Sequence, residues 1–91
     1  MDALGFVEVI GFVPALEAAD VMSKATGARM VGKQGIGGGM VTVIVHGEIA
    51  AVKAAVDAGA AAAKRSGQLV ADHVIARPHP AIAKLIKSKL D

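Results

Sequence analysis

Residues 28–46 read ARMVGKQGIGGGMVTVIVH. The second half is the clearest strand signature in the chain. Val41, Val43 and Val45 alternate there with Met40, Thr42 and Ile44 up to His46, the period of two expected of a pleated strand. The first half, residues 28–34, carries Met30 and Val31 and predicts another strand. Between the two stands Gly35-Ile36-Gly37-Gly38-Gly39. Glycine takes positive φ cheaply, so two strands joined by such a run form a hairpin.

Working outward, Ala3 to Ile10 holds Leu4, Phe6, Val7, Val9 and Ile10 around a single Glu8. This nearly continuous apolar run predicts a strand buried on both faces. Gly11 closes it, and Pro14 marks a helix start, where its missing N–H is no loss. Over residues 14–25 Leu16, Ala19 and Met22 share one helical face, and Gly27 is the stop. Glu17 and Asp20 read as partners of the positive helix start and Lys24 of its negative end. Beyond the hairpin, Gly47-Glu48 opens a second helix running to about Ser66, with Ile49, Val52, Val56, Gly59 and Ala63 as its buried face. The rest of that helix is mostly alanine, which suits close packing. Leu69 to Ile75 predicts a fourth strand, ended by Arg77-Pro78-His79-Pro80. Residues 81–90 set Ile82, Leu85, Ile86 and Leu90 opposite Lys84, Lys87 and Lys89, a short basic amphipathic helix expected to pack back on its own domain, with a partner-binding or cargo-facing tail and then a membrane-surface helix as the alternatives.

The order β-α-β-β-α-β plus a C-terminal helix predicts an α+β chain of ferredoxin-like arrangement. Two β-α-β halves interleave into one antiparallel sheet with both helices on one side. Ninety-one residues make one domain, and a chain this short builds a thin core. Yet 54% of the residues are apolar and the mean hydropathy is +0.55, above an ordinary soluble domain. Small residues supply the excess, so the chain is expected to complete its burial against copies of itself or a partner.

Several chemistries fall away. There is no cysteine, hence no disulfide, thiolate metal site or cysteine nucleophile. Phe6 and Phe12 are the only aromatic residues and the net charge is +2, so a nucleic-acid partner is not expected. No apolar stretch reaches the roughly 18 residues needed to span a bilayer, and Met1-Asp2-Ala3 lacks the basic start of a signal peptide. The expectation is an intracellular protein with no membrane partner. His46, His73 and His79 have no zinc-ligand spacing, no serine occupies a nucleophile turn, and there is no asparagine. No catalytic residue, metal or cofactor is predicted. The glycine cluster could form an anion-binding nest, but a strand follows it where a phosphate loop requires a helix. A small-ligand-binding regulatory module of ferredoxin-like fold, gripping an effector with the hairpin, is the alternative reading.

The segments Ala3-Leu4-Gly5 with Glu8, Glu17-Ala18-Ala19-Asp20, Lys24, Val31-Gly32, Ile36-Gly37-Gly38-Gly39 before Val41-Thr42, Gly47, residues 50–55, Asp57-Ala58-Gly59, His73-Val74-Ile75 and Arg77-Pro78-His79 stand in family-like order. On them the chain resembles the hexamer-forming shell proteins of bacterial microcompartments, built of a single BMC domain. The resemblance implies a domain over residues 1–79 with a variable tail over 80–91. It implies a non-enzymatic subunit of the bacterial cytoplasm whose homohexamers tile with other hexamers and other shell proteins around encapsulated enzymes, the latter engaged through amphipathic peptides. By the same resemblance Gly37 and Gly38, flanked by Ile36 and Gly39, line a central pore for small polar metabolites. Lys24 and Arg77 form the edge between hexamers. Many relatives carry a lysine before the Ile-Gly of the loop, where this chain has Gly35 preceded by Lys33 and Gln34.

Overall fold

Val43 and Val45 set the core. In the computed structural model, which describes residues 2–86, both are fully buried, as are Val7 and Val9 beside them. The elements are β1 (Ala3–Ile10), α1 (Phe12–Ser23), β2 (Ala28–Gly37), β3 (Met40–Gly47), α2 (Ile49–Arg65), β4 (Leu69–Ile75) and a single turn, α3 (Ile82–Leu85). The strands form one sheet in the order β2-β3-β1-β4, and every neighbouring pair is antiparallel. This is the predicted ferredoxin-like arrangement. Strand bounds in β1 and β4 coincide with the expected ones.

Odd-numbered residues of β1 and β3 point to the helices. They pack with Ala15, Ala18 and Met22 of α1 and with Val52, Ala55, Val56 and Ala63 of α2 in one cluster. Ala55, Ala60 and Ala62 are buried within the chain, whereas Ala54, Ala58 and Ala61 are exposed, so only part of the alanine surface of α2 is free for other contacts. The other face carries Leu4, Phe6, Glu8, Thr42, Ile44 and His46, by the pairings Leu4–His46, Phe6–Ile44 and Glu8–Thr42. Leu4 and Ile44 are buried there without a helix over them. The chain leaving β4 starts beside Leu4, which pairs with Ile75, and its Pro78 is buried.

Three expectations are corrected. First, α1 begins at Phe12 and ends at Ser23, two residues early at each end. Gly11, at φ 100, makes the turn into the helix, and Pro14 is its third residue, still in the first turn where an N–H has no intrahelical acceptor. Glu17 and Asp20 therefore lie past the first turn, which holds no acidic residue. Second, β2 runs on to Gly37, so the loop is shorter than Gly35–Gly39. Third, α3 stops at Leu85 because Ile86 is extended, at φ −92 and ψ 122. Leu85 is exposed rather than packed back on the domain; the remainder of the tail helix expected over 81–90 lies outside the described residues.

Two glycines let the layers approach. A Cβ at Gly5 would stand 2.5 Å from Val56 Cγ2 and 2.7 Å from Val52 Cγ1, whereas one at Gly59 would stand 2.5 Å from Met22 Sδ. Valine is stiff at χ1 and methionine adapts. Gly5→Ala is expected to destabilise by about 2 kcal/mol through overpacking. Gly59→Ala should stay within about 1 kcal/mol of neutral, because helix propensity offsets part of the strain. Urea unfolding of both variants checks the order, and a neutral Gly5→Ala contradicts the close β1–α2 approach.

Candidate functional site

The hairpin is tight. Gly37 pairs with Met40, leaving only Gly38 and Gly39 as the turn, at φ 63 and 79. Two consecutive positive φ values are what a two-residue type I′ turn demands. The register shifts between Gly35 and Gly37, so Ile36 is bulged out of the ladder and 52% exposed. A Cβ built at Gly35 or Gly37 would meet nothing within 4 Å, so the tip stands free of the rest of the chain on that side. One bond tethers it: the Gly11 N–H donates to the Gly39 carbonyl at 2.7 Å. The four residues expected to line a pore, Ile36, Gly37, Gly38 and Gly39, thus sit together at one end of the sheet, with Ile36 the only one bearing a side chain.

Lys24 is the C-cap residue of α1, and its Nζ lies 2.8 Å from Asp20 Oδ2 in an exposed i,i+4 pair. Arg77 stands two residues past β4, exposed, just before the buried Pro78. The strand register fixes where these lie relative to the hairpin. Ala3 and Ala28 both pair with Gly47, and Leu4 pairs with Ile75, at one end of the sheet. Ile10 and Gly37 both pair with Met40 at the other. Because α1 runs from Gly11 back to Lys24, Lys24 and Arg77 share the end opposite the tip. The eight residues of β1 span about 24 Å between the two ends. Lys24 leads towards one edge strand, β2, and Arg77 leaves the other, β4.

Sequence reasoning missed two contacts at the hairpin: the Gly11–Gly39 tether, and Lys33 Nζ standing 4.9 Å from the centroid of the Phe12 ring. The first continues the β1–β3 ladder past the Ile10–Met40 pair, and the second follows from the early start of α1, which brings Phe12 to the corner beside the hairpin. On the far face of the sheet the Thr42 hydroxyl donates to Glu8 Oε2 at 3.2 Å. The histidines remain apart. His46 and His73 lie on different strands, and His79 Nδ1 accepts from the Ala81 N–H at 3.0 Å. Among the described residues no group of three His, Cys, Asp or Glu is placed to hold a metal ion, and no helix is long and apolar enough to cross a membrane.

The family model described as BMC domain matches residues 3–78. The chain belongs to the BMC-domain family. It is 53% identical over 85 residues to the bacterial microcompartment shell protein PduA of Citrobacter freundii, covering 93% of this chain and 91% of that one. It is 56% identical over 79 residues to the shell protein EutM of Escherichia coli strain K12, covering 87% and 81%. Carboxysome shell protein CsoS1 of Prochlorococcus marinus is 59% identical over 78 residues, covering 85% and 76%. Among solved structures, a microcompartment protein from Desulfitobacterium hafniense superposes with a TM-score of 0.86 at 32% identity, over 92% of this chain. This chain spans about half, 48%, of that one. Membership makes this BMC-domain chain a structural shell protein of bacterial microcompartments in the cytoplasm, and not an enzyme.

The Lys24–Asp20 pair is solvated on both sides, with side chains 72% and 60% exposed. Such pairs contribute about 0.5 kcal/mol or less. Lys24→Ala is expected to lower stability by no more than about that amount in urea unfolding, leaving this lysine free for a role outside the folded chain. A loss beyond about 1 kcal/mol would assign it to the fold instead.

Proposed function

We propose that this chain closes into a sixfold ring with its hairpin tip at the axis, and that the rings tile edge to edge into the shell. The observation that carries the reading is the separation of the two candidate sites along the sheet. The tip of Ile36, Gly37, Gly38 and Gly39 lies at one end, and Lys24 and Arg77 at the other. A wedge that points its tip inward turns its opposite end outward, so the pore and the ring-to-ring edge come from one orientation of one chain. A cyclic heterologous contact closes such a ring.

Exposed apolar surface supports a subunit contact beside the tip. Ile10, Phe12, Val13 and Leu16 are each about half to two-thirds exposed, at the corner that the Gly11–Gly39 bond ties to the hairpin. Apolar side chains clustered at one corner mark an interaction surface. At the axis, six tips without side chains at Gly37, Gly38 and Gly39 line a narrow opening with backbone amides, suited to small polar metabolites. Residues 1–79 serve as the shell domain and 80–91 as a variable tail. Other shell proteins, and encapsulated enzymes bound through amphipathic peptides, are the partners in this reading. The alternative is a ligand-gripping regulatory module, in which the same hairpin would hold an effector at a subunit interface.

Two substitutions test the two ends separately. Lys24→Asp is expected to abolish sheets in negative-stain electron microscopy while rings persist; loss of the rings too would remove Lys24 from the edge. Gly38→Leu is expected to narrow or close the axial opening in the structure of the mutant ring, at a local cost of about 1–2 kcal/mol for a positive-φ leucine. An opening of unchanged diameter would take Gly38 out of the constriction.

A further inference from the structure

Asp20 stands where its own helix disfavours it. Because α1 ends at Ser23, Asp20 opens the last turn, beside the negative end of the helix dipole. Aspartate is also a poorer helix former than Ala18 and Ala19 before it. Among the described residues its carboxylate has one partner, the Lys24 ammonium at 2.8 Å. Acid before base at i,i+4 is the favourable order on a helix, yet both side chains are exposed and the pair adds little to the fold. A carboxylate that works against its helix and returns little to the folded chain points to a task outside that chain. Its place agrees. Leu16, Asp20 and Lys24 follow one another at i,i+4 along the exposed side of α1, from the apolar corner at the hairpin to the opposite end.

We propose that Asp20 is the positioning residue of the ring-to-ring edge: it holds the Lys24 ammonium and cancels its charge, so that two copies of the lysine can meet where rings meet. The inference rests on the edge reading above. Identical rings joined edge to edge in a flat layer are related by a two-fold axis at each edge, so a patch on one ring meets the same patch on the next. A lysine in that patch meets its own copy, and two bare ammonium groups repel. With an Asp20 carboxylate beside each, the meeting is between two neutral pairs.

Sheet formation by Asp20→Asn tests the proposal, read as the lowest protein concentration that yields pelletable sheets, with rings checked by negative-stain electron microscopy. That concentration is expected to rise at least about fivefold at roughly 20 mM ionic strength, and to return to within about twofold of the unmodified chain at about 0.5 M salt, where the repulsion is screened. Asp20→Glu keeps the carboxylate and should tile like the unmodified chain. Glu17→Gln makes the same change in net charge about two turns, roughly 10 Å, from Lys24, and should move the concentration less than about twofold. The urea midpoint of Asp20→Asn should not fall, since an acid leaves the last turn of α1.

An Asp20→Asn ring that tiles as readily as the unmodified one at low salt overturns the assignment of Asp20 while the edge stands. So does Glu17→Gln acting as strongly as Asp20→Asn, or Asp20→Glu tiling no better than Asp20→Asn. Loss of rings or a lowered urea midpoint with Asp20→Asn would assign the residue to ring closure or to the fold, and overturns the proposal too. Sheets that persist with Lys24→Asp, or never form from the unmodified chain, overturn the edge reading and this inference with it.

Discussion

A hairpin closed by only two residues needs positive φ at both, and the rest of this molecule is arranged around that demand. Gly38 and Gly39 satisfy it without strain. The turn then fixes the β2–β3 register, which sets Val43 and Val45 towards the helices and Thr42 and Ile44 away from them. A slip of one residue would exchange the two faces and bury Thr42 under the helices. The same turn gathers the bare backbone at one end of the sheet, and the Gly11–Gly39 bond holds it to the corner where α1 begins.

The core built on this register is made of small side chains. Leu4 and Met22 are the largest fully buried ones, and valine and alanine fill most of the rest. Such a core contributes modest burial per residue. It leaves Ile10, Phe12, Val13 and Leu16 uncovered beside the hairpin. Small residues also give the close layer approach at Gly5 and Gly59, where side chains of α1 and α2 fill the space a Cβ would take. A thin domain with one apolar corner gains most by repeating itself, and the proposed ring is that repetition.

Much of this was readable from pattern. Alternation around Val41, Val43 and Val45 announced β3, the apolar run after Ala3 announced β1, and the glycine cluster announced the hairpin. Failures came where a local rule met a neighbouring one. Pro14 suggested the first position of α1, but Gly11 at φ 100 had already turned the chain and the proline fitted the third. That shift moved Glu17 and Asp20 out of the first turn, left Asp20 to pair with Lys24, and brought Phe12 against Lys33. Helical spacing after Ala81 predicted a longer helix than the backbone at Ile86 permits. Of the candidate site, the tip could be read from glycine alone. Lys24 and Arg77 drew attention only through the family resemblance, since an exposed lysine or arginine at an element end has no distinguishing local signal. Their shared place at the end opposite the tip needed the strand register, which is a tertiary fact.

The account depends on one orientation: tips inward, Lys24 and Arg77 outward. Electron cryomicroscopy of the unmodified protein, assembled at moderate concentration, tests it most directly. The account predicts sixfold rings, single or tiled, with the Gly38–Gly39 turns around a central opening and Lys24 at the rim. Monomers, dimers or trimers, or rings that carry the hairpins on their outer edge, would contradict it.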